Sequence, residues 1–233
     1  MNRANEPIED QSKDMIKLYG FPASNYFNMV KLALIEKCAA YEDVRVFTGQ
    51  SEEMLDKSPM GKVPFLETER GFISETAVIL DYIDETQSGP SFYPTDPFDK
   101  ARVRELIKYT ELYLELPARR CYGQAFFGTG PTPDHTKDEA RVVMERGVGA
   151  LRRHAVFAPF LAGEAISYAD MVFLYTFPLA SSVAKKVLDW DLPAELPGAD
   201  TLIETLRARA AVKTVDDDAV AGQKEFRDYY GMK

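Results

Sequence analysis

The residues between positions 58 and 83 combine the types and spacing that bind a small anionic ligand. Val63 and Pro64 end a glycine-containing loop and begin a short apolar run, and a proline is tolerated in a strand only at its start or on an edge. We therefore expect Val63 to be exposed to a ligand. Residues 74–76 then open an apolar segment with helical spacing, and a helix start attracts carboxylates. The pattern predicts a site for an anionic peptide, and an ordinary helix cap is the alternative for this segment alone.

Two other segments place polar residues at the start of a helix. Residues 17–37 begin as a strand, break at a glycine and a proline, and continue as a helix that opens at Ser24. Farther along, Ser167 and Asp170 have the spacing of a capping box before an apolar run. We assign this box to architecture and not to catalysis.

Together these segments resemble the glutathione S-transferase family, and the resemblance extends from Met15 to about Ala211. In that family a cis-proline loop pairs with the cysteinyl backbone of glutathione, and a Glu-Ser or Glu-Thr pair holds the γ-glutamyl end. The resemblance therefore implies glutathione as co-substrate and a cis bond before the proline. It assigns glutathione binding to Lys62, Val63, Pro64, Glu75 and Thr76. The lysine would contact the glycyl carboxylate, and an exposed loop lysine is its alternative interpretation.

The resemblance also gives Ser24 the catalytic place, because Gly-x-Pro-Ala-Ser is similar to serine-type members, phi/theta-like and of bacterial or fungal kind. A thiol with a pKa of about 8.5 is mostly protonated at neutral pH. A hydroxyl hydrogen bond to a thiolate contributes about 1.5 to 3 kcal/mol, and a helix N-terminus adds roughly 0.3 to 1 kcal/mol. Ser24 would thus donate to the thiolate. A plain helix cap is the alternative, and Tyr19 is the rival donor.

The order of elements predicts two structural units. Strand and helix signals alternate in the first half, whereas long helical patterns follow from about Asp96. We predict an α/β plus all-α fold, with an N-terminal thioredoxin-like domain and a C-terminal helical bundle, the glutathione transferase fold. The predicted divisions are a disordered extension at 1–14, the glutathione-binding domain at 15–87, a linker at 88–97 and the helical domain at 98–233.

The second substrate site has a weaker signal. In the family that this chain resembles, the electrophile lies between the domains, against the first helices of the helical domain. The candidate residues are Tyr109, Tyr113 and Arg119, followed by Tyr122, Phe126 and Phe127. Residues 122–136 are rich in glycine, proline and aromatic side chains, which is typical of a lid or pocket wall. Core aromatics with an exposed connection are an equal alternative.

Composition excludes several other functions. A net charge of −9 argues against general binding to nucleic acid or to an anionic membrane, since both require a positive field. The chain shows no apolar stretch that would serve as a signal peptide or membrane span, so we expect a cytoplasmic protein. Two cysteines without a C-x-x-C motif disfavour dithiol chemistry, and Cys38 is expected to be packed. Two isolated histidines give too few ligands for a metal, and we predict none.

The leading hypothesis is a homodimeric glutathione transferase that conjugates glutathione to hydrophobic electrophiles. A glutathione-dependent isomerase or peroxidase would use the same first site. A non-catalytic, transferase-like binding or regulatory protein is a third hypothesis, because one fold can serve several functions. The presence of Ser24 and of the Glu75–Thr76 pair favours an enzyme.

Overall fold

A four-stranded sheet forms the framework of the first part of the chain. A computed structural model describes residues 15–231, so the predicted extension at 1–14 lies outside the described residues. The strands are β1 (Ile16–Gly20), β2 (Tyr41–Arg45), β3 (Phe65–Thr68) and β4 (Gly71–Ser74). They are ordered β2-β1-β3-β4, with β1 parallel to β2 and antiparallel to β3, and β3 antiparallel to β4. The carboxyl ends of β1, β2 and β4 therefore meet the start of β3 at one edge.

Helices make up most of the remaining structure. The α-helices are α1 (Asn25–Glu36), α2 (Glu52–Lys57), α3 (Thr76–Thr86), α4 (Pro97–Thr110), α5 (Leu116–Arg119), α6 (Asp134–His154), α7 (Tyr168–Val187), α8 (Leu192–Glu195), α9 (Ala199–Arg207) and α10 (Ala210–Tyr229). Described residues beyond Asp96 form no strand, only an isolated bridge between Phe160 and Gly163. The predicted fold, a thioredoxin-like unit followed by a helical one, is confirmed. Within residues 15–231, no helix is long and apolar enough to cross a membrane.

The long helix that begins with α4 changes its geometry before a proline. Pro117 has no N–H to donate, and its ring would clash with the carbonyl four residues earlier. The chain responds with a π-helical turn, Glu111–Glu115, in which the N–H of Leu116 donates to the carbonyl of Glu111. A second π-helical turn, Gly123–Phe127, follows α5. Such turns are rare and occur mostly as single insertions in α-helices, often at functional sites.

The core packs α1 between the sheet and the helical unit. Its residues 27–34 are all buried, and α1 contacts both α3 and α7. Gly20 allows β1 to approach this helix closely, since a Cβ at that position would lie 2.3 Å from the ring of Phe27. Lys37, immediately after α1, is also buried and donates to the carbonyl of Pro90 at 2.9 Å. The first helix and the residue that follows it are thus fixed by contacts with the sheet, the linker and the second unit.

The last helix returns across the first unit. Lys31 of α1 lies 2.7 Å from Asp43 and 2.9 Å from Asp218 of α10, so the returning helix pairs with a nearly buried ammonium group. A Cβ on Gly222 would come within 3.0 Å of Pro22, so this glycine lets α10 approach the loop after β1. The C-terminal helix therefore covers the loop that carries Ser24.

One expected core residue lies elsewhere. Cys38, expected to be packed, is exposed, and the prediction was wrong. The chain takes a left-handed turn there (φ 53°), with the N–H of Cys38 bonded to the carbonyl of Ile35. This turn ends the helix and directs Lys37, instead of the cysteine, into the core.

The predicted capping box at the start of α7 is present and extends to a third residue. The carboxylate of Asp170 accepts hydrogen bonds from the N–H of Ser167 at 2.7 Å and from the Ser167 hydroxyl at 2.8 Å. It also accepts the N–H of Leu161 at 2.6 Å, and all three residues are buried. Asp170 therefore fixes the preceding loop as well as the helix start.

We predict that Asp170→Ala destabilises the protein more than Ser167→Ala. The aspartate substitution leaves two buried N–H groups without a partner, at about 1 to 3 kcal/mol each, whereas loss of the serine cap costs about 0.5 to 2 kcal/mol. Urea denaturation measures both free energies of unfolding. Ser51→Ala, at the exposed cap of α2, is the matched control and should cost least. Equal stability of Asp170→Ala and the wild type would contradict the assignment.

Candidate active site

Three polar segments meet at one edge of the sheet. Strand pairing places Tyr19 opposite Phe65, and Phe65 opposite Ser74. The loop after β1, the residues before β3 and the residues after β4 consequently lie side by side. These are the segments that carry Ser24, the Val63–Pro64 pair and the Glu75–Thr76 pair.

Ser24 is the N-cap of α1 and keeps its donor hydrogen available. Its backbone is extended (φ −84°, ψ 117°), and its hydroxyl oxygen accepts the N–H of Phe27 at 3.3 Å. The hydroxyl hydrogen itself is donated to no group among residues 15–231. Capping uses a lone pair and donation uses the hydrogen, so one hydroxyl can do both.

The rival donors near Ser24 are each committed to a carboxylate. Tyr19 donates to Glu67, and burial together with this hydrogen bond raises the pKa of Tyr19 to about 12. Tyr26 donates to Glu115 at 3.2 Å, and burial and the nearby carboxylate raise its pKa as well. Of the hydroxyl groups of Tyr19, Ser24 and Tyr26, that of Ser24 alone donates to no other side chain within residues 15–231.

The residues before β3 present backbone groups. The Val63–Pro64 bond is cis, as the family resemblance predicts. Val63, expected to be exposed to a ligand, is only 7% exposed, because its side chain packs in a small core cluster with Phe21 and Phe65. Within the described part of the chain, the N–H and C=O of Val63 have no backbone partner. Unpaired groups of this kind can pair with an extended peptide.

The residues after β4 form a strained helix start. Glu75 has φ 71° and ψ 114°, outside the regions that non-glycine residues prefer, and such strain clusters at ligand-binding sites. Glu75 is exposed, whereas Thr76 is only 7% exposed. The first-turn N–H groups of α3 have no helical partner, which suits a carboxylate ligand.

Lys62 lies in the same loop as the cis proline. Its side chain is exposed, and its backbone is fixed because Ser58 donates to the Lys62 carbonyl at 2.8 Å. The adjacent Gly61 contacts the loop after β2 through its carbonyl, which accepts the N–H of Gly49 at 3.1 Å. The lysine is therefore exposed at its tip and held at its backbone.

A buried carboxylate lies beside this edge and was not predicted. Glu115, in the first π-helical turn, has no exposed side-chain surface. It accepts hydrogen bonds from Asn25 at 3.1 Å, from Tyr122 at 3.3 Å and from the Nε of Arg119 at 3.0 Å, as well as from Tyr26. Burial would lower the pKa of the Arg119 guanidinium, but its hydrogen bonds to Glu115 outweigh this effect and raise that pKa.

The first three electrophile candidates divide into two groups. Arg119 donates to Asn25 at 3.0 Å and lies over the ring of Tyr26, so it borders the start of α1. Tyr109 instead contacts His154 at the end of α6, and the backbone and Cβ of Tyr113 pack against Gly147 of α6. The structure therefore brings Arg119 toward Ser24, while the two tyrosines lie along α6.

An aromatic cluster joins both units at the same edge. Phe226 of α10 contacts Phe21 at 5.6 Å and Phe127 at 6.3 Å between ring centroids. Phe47, just after β2, stacks on Phe21 at 4.9 Å and on Tyr229 at 3.9 Å. The members of the aromatic cluster are Phe21, Phe47, Phe127, Phe226, Tyr229 and Tyr230. Only Phe127 was named from sequence as a candidate, and the three aromatic residues among positions 226–230 were the signal for the members on α10 and just after it.

The described residues offer no metal site. No group of three or more His, Cys, Asp or Glu side chains within residues 15–231 is arranged to hold a metal ion. The polar groups at the sheet edge are single hydroxyls, backbone groups and one exposed carboxylate. These groups suit an organic ligand that carries both a positive and a negative charge.

Comparison with known proteins identifies the family. A family model for the glutathione S-transferase N-terminal domain matches residues 18–91. The chain is 47% identical over 214 residues to a glutathione S-transferase of Pseudomonas putida, covering 92% of this chain and 97% of that protein. A maleylacetoacetate isomerase from Methylobacterium extorquens, solved with bound malonate and GSH, has a TM-score of 0.66 at 25% identity, covering 85% and 95% of the two chains. Poplar glutathione transferase F1 has a TM-score of 0.70 at 18% identity, covering 89% and 99%, and shows the fold alone. This chain belongs to the glutathione S-transferase family.

Proposed function

We propose that this protein is a serine-type glutathione transferase that ionises the thiol of glutathione and conjugates it to hydrophobic electrophiles. The observation that carries the proposal is the shared sheet edge. There a free hydroxyl donor, an unpaired backbone segment and an open helix start meet. Each matches a different part of a small peptide with a thiol, an amide backbone and charged ends.

In this proposal each residue has a separate role. The N–H and C=O of Val63 pair with the cysteinyl backbone, and the cis Pro64 holds them in place. Glu75 binds the ligand ammonium, while Thr76 and the first N–H groups of α3 bind the γ-glutamyl carboxylate. Lys62 contacts the glycyl carboxylate. These assignments place the sulfur near the loop after β1, where Ser24 is.

Ser24 would stabilise the thiolate as a hydrogen-bond donor. The thiol loses its proton to solvent, and the sulfur then accepts the hydroxyl hydrogen bond of Ser24 and experiences the N-terminus of α1. The thiolate attacks the electrophilic carbon, the new C–S bond forms, and the leaving group departs with its electron pair. The serine makes no covalent bond.

The electrophile would lie against the aromatic cluster. Phe21 lies in the loop that carries Ser24 and contacts Phe226 of α10, which also contacts Phe127, and such a group of rings suits an apolar, ring-containing molecule. Arg119 would border the same space. Tyr109 and Tyr113 have contacts toward α6, so their part in this site remains a prediction from the sequence.

The proposed assembly is a cytoplasmic homodimer with a role in detoxification. Exposed apolar side chains occur on β4, α3 and α4, at Phe72, Val78 and Phe98, and a second copy of the chain would cover them. Sedimentation equilibrium tests this, and a monomer at micromolar concentration would contradict it.

We expect wild-type protein to lower the pKa of bound glutathione and Ser24→Ala to raise it back. The variant should still bind glutathione but conjugate chlorodinitrobenzene much more slowly near neutral pH. The deficit should shrink at alkaline pH, since hydroxide then supplies the ionisation and each pKa unit corresponds to about 1.4 kcal/mol. Thiolate ultraviolet absorbance and steady-state rates measure these effects. If wild-type protein binds glutathione without lowering its pKa, a binding protein becomes the better conclusion.

A second pair of variants tests the other end of glutathione. Glu75→Ala and Thr76→Val should each weaken glutathione binding about tenfold or more, because a hydrogen bond to a charged group is worth about 1.5 to 3 kcal/mol. Titration calorimetry measures the Kd. Glu85→Ala and Thr86→Val, at the exposed last turn of the same helix, are matched controls and should bind normally. Normal binding by both test variants would remove the pair from the site.

The electrophile side is tested by Phe226→Ala. We expect the KM for chlorodinitrobenzene to rise about three- to tenfold, since an aromatic contact contributes about 0.5 to 1.5 kcal/mol, while glutathione affinity stays unchanged. Val220→Ala, 74% exposed on the same helix, is the control. Tyr109→Ala and Tyr113→Ala test the sequence-based candidates in the same assay. An unchanged KM in Phe226→Ala would exclude the aromatic cluster as the electrophile wall.

A further inference from the structure

The buried carboxylate of Glu115 needs a function beyond stability. It has no exposed side-chain surface, and burial of a charge costs more than most ion pairs recover, so an apolar residue would commonly serve packing as well. The protein instead supplies donors from two units: Asn25 and Tyr26 at the start of α1, Arg119 in α5 and Tyr122 beyond it. One of these donors, Asn25, directly follows Ser24, and this position suggests why the carboxylate is retained.

The hydrogen bonds around Glu115 hold both the nitrogen and the oxygen of the side-chain amide of Asn25, the first residue of α1. Asn25 donates through Nδ2 to Glu115 at 3.1 Å and accepts from Arg119 at 3.0 Å through Oδ1. The guanidinium is held in turn between the rings of Tyr26 and Tyr122, whose centroids lie 5.2 Å and 4.9 Å away. The neutral amide of the residue that follows Ser24 is therefore held between a cation and an anion.

We propose that Glu115 and Arg119 are positioning residues for thiol activation, which hold the start of α1 in place and present a compensated pair of charges to the glutathione sulfur. The inference rests on the proposed function of Ser24. This compensation of charge matters because a single unpaired charge near the sulfur would change the stability of the thiolate. With both charges present, the hydroxyl and the helix N-terminus dominate.

The surroundings of the pair contain few other charges. The titratable groups beside Glu115 and Arg119 are Tyr26 on α1 and Tyr122, while Glu111 in the same π-helical turn acts on Tyr26 and pairs with Lys108 at 2.6 Å. The next basic residue, Arg120, is directed away and pairs with Glu139 of α6 at 2.7 Å. It therefore provides a control of the same type, one position along the chain and outside the network.

The test compares thiolate titrations of bound glutathione in charge-removing variants. Glu115→Gln leaves the guanidinium uncompensated, and the titration should shift to lower pH by about half a unit or more. Arg119→Gln leaves the carboxylate uncompensated, and the shift should have the opposite sign. The double variant should return toward the wild-type midpoint, and Arg120→Gln should leave it unchanged. Shifts of the same sign in both single variants, or no shift in either, would overturn the proposal.

Two milder variants cover the case in which removal of a charge prevents folding. Tyr26→Phe and Tyr122→Phe each remove one donor to Glu115 without leaving a buried ion unpaired. Each should raise the titration midpoint slightly, because the carboxylate then has fewer partners, and unchanged midpoints in both would contradict the proposal.

The Ser24→Ala titration separates the proposed role of Ser24 from that of the Glu115–Arg119 pair. If Ser24→Ala leaves the titration of bound glutathione unchanged while the Glu115 and Arg119 variants shift it, the proposed role of Ser24 is wrong. The charge pair then still acts on the sulfur.

Discussion

The direction of four strands determines where the ligand groups can lie. Because β3 runs antiparallel to β1 and β4 runs antiparallel to β3, the end of β1, the start of β3 and the end of β4 share one edge. Reversal of any one strand would move its loop to the opposite side of the sheet. The helix starts after β1 and β4 then point their N–H groups toward the same space. In the proposed function, the positive ends of α1 and α3 both act on one anionic ligand.

The sequence was sufficient wherever a feature depends on neighbouring residues. The cap at Ser24 and the capping box at Ser167 and Asp170 are set within three or four positions. The same holds for the division between a strand-containing and a helical region, because hydrophobic spacing is local. The cis bond at Val63 is different, since spacing alone gives a low frequency for it and the family resemblance supplied the prediction.

The features that the sequence did not predict depend on contacts between distant parts of the chain. Asn25 and Glu115 are 90 positions apart, and no local pattern marks the glutamate as a buried acceptor. The aromatic cluster likewise requires α10 to return over the first unit. Val63 was expected to be exposed because a proline is confined to the start or edge of a strand, but its side chain packs against Phe21 and Phe65. For Glu115 one signal was present: Pro117 lies two positions later, inside a helical pattern.

The π-helical turn before Pro117 makes chain length itself a requirement of the site. A π turn holds one residue more than an α turn, so everything beyond it is rotated by about 100° relative to an uninterrupted helix. Deletion of a single residue between Glu111 and Glu115 would remove this extra rotation and turn Arg119 away from Asn25. In evolutionary terms, substitutions here would be tolerated more readily than insertions or deletions. A homologous chain with one residue fewer would have to anchor its first helix in another way.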